Sequence, residues 1–281
     1  MLNLLLLLTA STIAQAGGQI CTPKHIDKDC KLVQAAMKNN IHDATRLLNL
    51  GANPNIQDKN GLTPLHGAVY NNAIEFVKYL LSNGAFVNVQ GSYFIQIHAD
   101  KDFLDSTPLL ISKESIITKL LLRAGAQVNA QDYMGNTPLI YAVQRMHIKQ
   151  IQELINYEAN LFIKNTWGNT AVHYAFELAQ SSSDIAQLLL YYAWQKELLP
   201  IIGTTKNKSG VTPLDLIPYT DAKLRTLVKG CIAQKPYAIK EIITAGAKVE
   251  YKQFAKKTRQ KNVLLALRTR ELTGTFDEKR F

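Results

Sequence analysis

The side chains here with the widest chemical reach are the histidines and cysteines, six and three in number, and their spacing decides what they can do. His98-Ala99-Asp100-Lys101-Asp102 brings an imidazole and two carboxylates into one short segment, a donor set suited to a borderline divalent cation. No second histidine or cysteine stands at a ligating interval from it, so the segment reads as a loop facing water, and no metal or cofactor is assigned. The sequence holds no serine elbow, no cysteine–histidine signature and no HExxH helix. No catalytic residue is assigned, and the chain is expected to work by binding and not as an enzyme.

What positions the remaining residues is a repeat. Gly61-Leu62-Thr63-Pro64-Leu65-His66-Gly67-Ala68 returns as Gly135-Asn136-Thr137-Pro138-Leu139, as Gly168-Asn169-Thr170-Ala171-Val172-His173-Tyr174-Ala175 and as Gly210-Val211-Thr212-Pro213-Leu214. With Thr107 included, successive threonines stand 44, 30, 33 and 42 residues apart, the scatter that insertions produce in a unit of roughly 33 residues. A second element, Leu80-Leu81-Ser82-Asn83-Gly84-Ala85, recurs at Leu47–Ala52, Leu121–Ala126 and Ile242–Ala247, while Leu154–Ala159 keeps the apolar pair and loses the glycine.

Each residue type fits a helix pair. Threonine before proline starts a helix, because the hydroxyl caps it and proline has no N–H to leave unpaired in the first turn. Ala68, Ala142 and Ala175 are small where two short helices pack closely. Gly51, Gly84, Gly125 and Gly246 fall just past a helix, where a left-handed residue ends it without Cβ strain. One pair cannot bury its apolar face alone, so the stack is the folding unit.

Two coupled motifs recurring in order from about Lys31 to Glu250 resemble those of the ankyrin repeat family. The resemblance implies an all-α solenoid of about seven helix-turn-helix units. It also implies that His66 and His173, in the family's histidine slot, hydrogen-bond within and between units. Leu32 to Leu48 reads as an opening unit without the Thr-Pro start, and residues 91–104 and 194–203 as two insertions. The sixth unit is interrupted by Pro218, and residues 251–281 read as a basic helical cap. An alternative reading is an enzyme or ligand-binding protein whose site is built from the two insertions.

Before the array, Leu2 to Leu8 is a nearly continuous leucine run, broken by Asn3 and followed by Ala14-Gln15-Ala16, the pattern of a signal peptide spanning residues 1–16, although no Lys or Arg precedes the run. Export to a periplasmic or secreted destination is the expectation, with residues 17–30 as an N-terminal segment. In an oxidising compartment Cys21 and Cys30 would form a disulfide, a link worth ~2.5 to 3 kcal/mol by loop entropy. Cys231, within an apolar run, reads as a buried small hydrophobe.

Hydrophobic residues make up 47% of the chain and charged ones 19%, which excludes a largely disordered protein. The net charge of +10 suits acidic partners and keeps an array monomeric, but charge alone selects no partner. Lys256, Lys257, Arg259, Lys261, Arg268 and Arg270 concentrate that charge near the end. With no stacking platform, glycine-rich loop or zinc-finger spacing beside them, they read as a solvated face, and a nucleic-acid partner is not assigned.

Family resemblance implies a protein partner held by turn tips and inner helices. The tips carry Lys59-Asn60, Tyr133-Met134, Thr166-Trp167 and Lys208-Ser209, with Phe103-Leu104 in the irregular third unit. Tyr133, Met134, Trp167, Phe103 and Leu104 are therefore expected partner anchors, unless the insertions fold over them. Tyr70, Asn71, Gln144, Arg145 and Glu177 are expected to line the adjoining groove.

Overall fold

The computed structural model describes residues 28–95, 102–180, 183–218, 221–235 and 237–244, the side chains of 93–95, 102–104, 180 and 183 excepted. Helices α1 (Lys28–Met37) and α2 (Ile41–Asn49) open a stack continued by α3 (Pro64–Tyr70) with α4 (Ile74–Ser82), and α5 (Pro108–Ile111) with α6 (Ser115–Arg123). Then follow α7 (Pro138–Gln144) with α8 (Ile148–Asn156), and α9 (Ala171–Glu177) with α10 (Ser183–Gln195). Helices α11 (Leu199–Thr204), α12 (Pro213–Leu216), α13 (Ala222–Ile232) and α14 (237–244) complete the described array. The array is an all-α solenoid.

One continuous core runs along it, from Leu32 and Val33 through Leu65, Phe76, Leu80, Leu121, Leu139, Leu154, Phe176 and Leu189 to Val228 and Ile242. From α1 to α9 each inner helix packs on its own outer helix and on the next inner helix, so each of these units completes its neighbour's core. The first two inner helices approach closely at Gly67, where a Cβ would meet backbone atoms of Ala36 and Met37 at 2.8 Å. The spacing after the outer helices is set by asparagines. Asn55 accepts the Phe86 N–H at 2.6 Å and donates to the Gly84 carbonyl at 3.0 Å, and Asn88 does the same for Gln127 (2.8 Å) and Gly125 (3.0 Å).

The two insertions have different structures. The first forms an antiparallel hairpin of β1 (Gly91–Ile95) and β2 (Asp102–Ser106), with Gly91 opposite Ser106 and Phe94 opposite Phe103. It is the one departure from helix among the described elements. Trp194 and Gln195, counted with the second insertion, are the last residues of α10, and α11 turns Leu199 and Ile202 into the core. Helix α12 stops at Leu216, ahead of Pro218. The N-terminal 27 residues, Cys21, the His98–Lys101 loop and the basic end from residue 245 onward lie outside the described residues. Cys30 is buried in the first turn of α1. Cys231 is a free thiol with no exposure, and burial pushes its pKa up to about 12.

His66 and His173 join local structure to stacking. Nδ1 of His66 accepts the Thr63 N–H at 3.1 Å while the Thr63 hydroxyl accepts the His66 N–H at 3.4 Å, closing a reciprocal cap at the start of α3. With Nδ1 an acceptor, Nε2 carries the proton and donates to the Ser106 carbonyl of the next unit at 3.0 Å. His173 repeats the cap with Thr170, its Nε2 donating to the Val211 carbonyl at 3.3 Å.

Complete burial lowers the pKa of His66 to about 4, and burial lowers that of His173 as well. Between pH ~6.5 and ~4 the unfolded chain binds a proton at this position that the folded chain does not, so stability falls as pH drops through that window. The His66 contribution totals of order 3 kcal/mol once the pH is below about 4. Urea unfolding should accordingly show a lower midpoint at pH 5 than at pH 7. A His66→Gln variant, less stable at pH 7, should show a flatter pH dependence; an equally steep one would remove His66 as a source of the effect.

Candidate functional site

Each tip is built on one side-chain oxygen three residues before a glycine. Asp58 Oδ1 accepts the N–H groups of Asn60 and Leu62, both at 2.8 Å. Asp132 Oδ1 accepts that of Asn136 at 2.8 Å. Asn165 takes Trp167 (3.1 Å) and Asn169 (2.9 Å), and Asn207 takes Ser209 and Val211, both at 3.0 Å. The glycine closes the turn: Gly168 has φ +78°, and a Cβ on it would strike the Lys208 nitrogen at 2.7 Å. Backbone bonds then tie one tip to the next. Ser92 N–H donates to Asn60 O (2.7 Å), Thr166 N–H to Met134 O (2.8 Å) and Lys208 N–H to Trp167 O (3.0 Å).

Behind the tips of units four and five runs a buried polar network. Tyr141 donates its hydroxyl proton to Asp132 Oδ2 at 2.5 Å, the Asn136 amide reaches Tyr141, and Asn165 donates to Asn136 Oδ1 at 3.0 Å and to the Tyr174 hydroxyl at 2.9 Å. Burial raises the pKa of Asp132 and also that of Tyr141, the latter helped by the Asp132 charge it faces. The Arg145 guanidinium lies 5.3 Å from the centre of the Tyr141 ring, over its face. These groups have satisfied partners and act to stiffen the turns.

On this base the tip side chains divide into exposed and half-buried. Trp167 is 51% exposed and Tyr133 48%, while Met134 is half-buried against Leu110 and Tyr141. Phe103 and Leu104 lie on β2, opposite Phe94 and Tyr93, and their side chains are among those not described.

The inner-helix positions are less uniform. Gln144 and Glu177 are exposed, and Tyr70 is 40% exposed with the Lys113 ammonium 5.2 Å from its ring centre. Asn71 directs its amide into the framework, donating to the carbonyls of Ala36 (3.1 Å), Met37 (3.2 Å) and Gly67 (2.9 Å). Arg145 likewise donates to the Ser112 carbonyl at 2.9 Å, and burial lowers its pKa.

That second bond answers a defect in the stack. Helix α5 has a single turn, after which Ser112 is extended (ψ 134°). Its carbonyl is capped from the following unit by Arg145 and by the buried Gln150 amide at 2.8 Å, and His147 Nδ1 donates to the Lys113 carbonyl at 3.0 Å. Helix α12 is also one turn long, and there Arg225 caps the Ile217 carbonyl at 2.7 Å.

A further open depression of about 410 Å³ lies against α2, lined by Ile41, His42, Thr45, Arg46, Asn49 and Leu50, away from both insertions. Among the described residues, no three His, Cys, Asp or Glu side chains are grouped to hold a metal ion. No helix among them is long and apolar enough to cross a membrane.

The tip–helix–helix unit is the one that family comparison recognises. Three copies of a model of ankyrin repeats match residues 9–91, 32–116 and 109–199, well over half the chain. The chain belongs to the ankyrin repeat family. Ankyrin repeats are protein-interaction modules, and their partners are proteins. A mitochondrial disaggregase from Bos taurus is 31% identical over 151 residues, 53% of this chain and 21% of that protein. The human SH3 and multiple ankyrin repeat domains protein 2 is 26% identical over 204 residues, 63% of this chain and 10% of its own length. A palmitoyltransferase of Danio rerio is 28% identical over 213 residues, 74% of this chain and 28% of its own. The chain thus spans a small part of these relatives.

Sequence reasoning placed Tyr133, Trp167 and Lys208 at the tips and missed the Asp132–Tyr141–Asn165 network and the neighbouring Lys164 and Lys206. The signal for the former was present in the Asp/Asn-x-x-Gly spacing shared by Asp58, Asp132, Asn165 and Asn207. Replacing Tyr141 with Phe leaves the Asp132 carboxylate buried without its hydroxyl partner. That variant should lose about 1 to 3 kcal/mol in urea unfolding, and an unchanged midpoint would show that the network contributes little to stability.

Proposed function

We propose that this ankyrin array is a non-enzymatic adaptor that recognises a partner protein along its tips and the adjoining inner helices. The carrying observation is that Trp167 and Tyr133 stay about half exposed on adjacent tips joined by the backbone bond from Thr166 N–H to Met134 O. Large aromatic side chains presented rigidly lose little entropy on binding and dominate interface energies. Tyr70 with Lys113, together with Gln144 and Glu177, adds a mixed polar wall next to them.

Trp167→Ala should weaken a cognate complex by about 2 kcal/mol or more, roughly thirtyfold in Kd. The same change should lower stability by far less than the ~3 to 5 kcal/mol expected for a buried tryptophan. Calorimetric titration beside urea unfolding separates the two. Wild-type affinity in the folded variant would remove Trp167 from the recognition surface.

The adaptor is further proposed to act outside the cytoplasm, as a periplasmic scaffold or a secreted effector, with Cys21 bonded to Cys30. The apolar Leu2–Leu8 run, the Ala14-Gln15-Ala16 pattern and the position of Cys30 at the head of α1 support this. N-terminal sequencing of protein recovered from its source should begin at Gly17. Intact Met1 in a cytosolic fraction would refute export.

A further inference from the structure

Three lysines lie on the tip of Trp167 and the one after it: Lys164 on its own tip, and Lys206 and Lys208 on the next, all exposed. The two tips are in direct contact, since Lys164 Nζ donates to the Lys206 carbonyl at 2.7 Å and the Lys208 N–H donates to the Trp167 carbonyl at 3.0 Å. Four lysines among the described residues meet carboxylates, in the pairs Lys78–Glu75, Lys119–Glu153, Lys196–Glu158 and Lys223–Glu241. None of the three tip lysines has a carboxylate of the described residues within 4.0 Å.

Nearby acids are engaged otherwise. Asp132 is buried under the Tyr141 hydroxyl. Asp215 senses Lys206 but holds the Thr212 hydroxyl at 2.7 Å and the Thr212 N–H at 2.9 Å. The result is a pair of adjacent tips with net positive charge, three lysines against the one exposed carboxylate of Asp215, and these tips also carry the exposed Trp167 indole.

We infer that the tips of units four to six bind an acidic peptide segment of the partner, its carboxylates facing Lys164, Lys206 and Lys208 and an apolar residue covering Trp167 and Tyr133. This deepens the adaptor reading and rests on it. An ammonium is a point charge on a flexible stem, able to follow carboxylates at irregular spacing. The backbone N–H groups of Thr166, Trp167, Lys208 and Ser209 are all spent within the tips, so charge recognition falls to these side chains.

A nucleic acid fits less well, because phosphate tracking needs a long basic groove. Here the basic run stops short of Lys59, which lies beyond the hairpin that carries Asp105. Complementary charge of this kind acts mainly on the association rate and on partner choice.

The test uses fluorescence anisotropy with the full chain and three labelled probes: a short peptide of glutamates and leucines, the same peptide with lysine for glutamate, and oligothymidylate. The glutamate peptide should bind in a salt-dependent way and the lysine peptide should not. Affinity should fall tenfold or more in Lys164→Glu/Lys206→Glu/Lys208→Glu, and also in Trp167→Ala. Unfolding midpoints verify that the variants are folded, and the neutral Lys164→Gln/Lys206→Gln/Lys208→Gln set serves if the reversed set is not.

Undiminished binding of the glutamate peptide by the folded lysine variants would overturn the inference, as would binding of oligothymidylate in its place. If Trp167→Ala abolishes a cognate complex that the lysine variants leave intact, the tips remain the recognition surface and the acidic partner is refuted.

Discussion

One side-chain oxygen at the base of each tip, from Asp58, Asp132, Asn165 or Asn207, gathers the backbone N–H groups that the turn would otherwise leave unpaired. The placement of every exposed side chain on that edge follows from it. Once the turn is fixed, its glycine brings the next tip within backbone hydrogen-bonding distance, and the row becomes a rigid strip instead of a set of independent loops. A flexible loop bearing Trp167 would lose ordering entropy on binding; a tip pinned by Asn165 and by Lys208 has already lost it on folding.

The same economy of bonding divides the polar residues into two groups. Asn71, Arg145, Gln150 and His147 point amide, guanidinium or imidazole N–H groups at carbonyls exposed where inner helices end. Lys164, Lys206 and Lys208 carry charge that the framework leaves uncompensated. The first group is spent on the framework and the second is not. A partner encountering this surface meets Gln144 and Glu177 exposed at two inner-helix ends, where Asn71 and Arg145 are turned to the framework, and lysine charge at the tips.

This division explains what was legible in the chain. Helix starts at Thr63, Thr137 and Thr170 and the glycine-terminated outer helices depend on interactions within a few residues, so the Thr-Pro and Leu-Leu-x-x-Gly-Ala patterns encode them directly. The roles of Asn71 and Arg145 depend on partners more than thirty residues away, at Ala36 and Ser112, and on α5 stopping after one turn. No local pattern around either residue announces that. The first insertion was legible as an interruption of the period but not as a hairpin, because its strand residues alternate too weakly over five positions to distinguish strand from loop.

Helix α5 leaves the third unit dependent on the fourth in one direction. Its terminal carbonyls at Ser112 and Lys113 are closed by Arg145, Gln150 and His147, while Lys119 reaches forward to Glu153 at 3.1 Å. In mechanical terms the joint is a ratchet. A force that peels the array from its C-terminal end strips the fourth unit and in the same event uncaps the third, so the two release as one block. The same force applied from the N-terminal end meets α1 and α2 first and leaves that joint closed until α5 itself is reached.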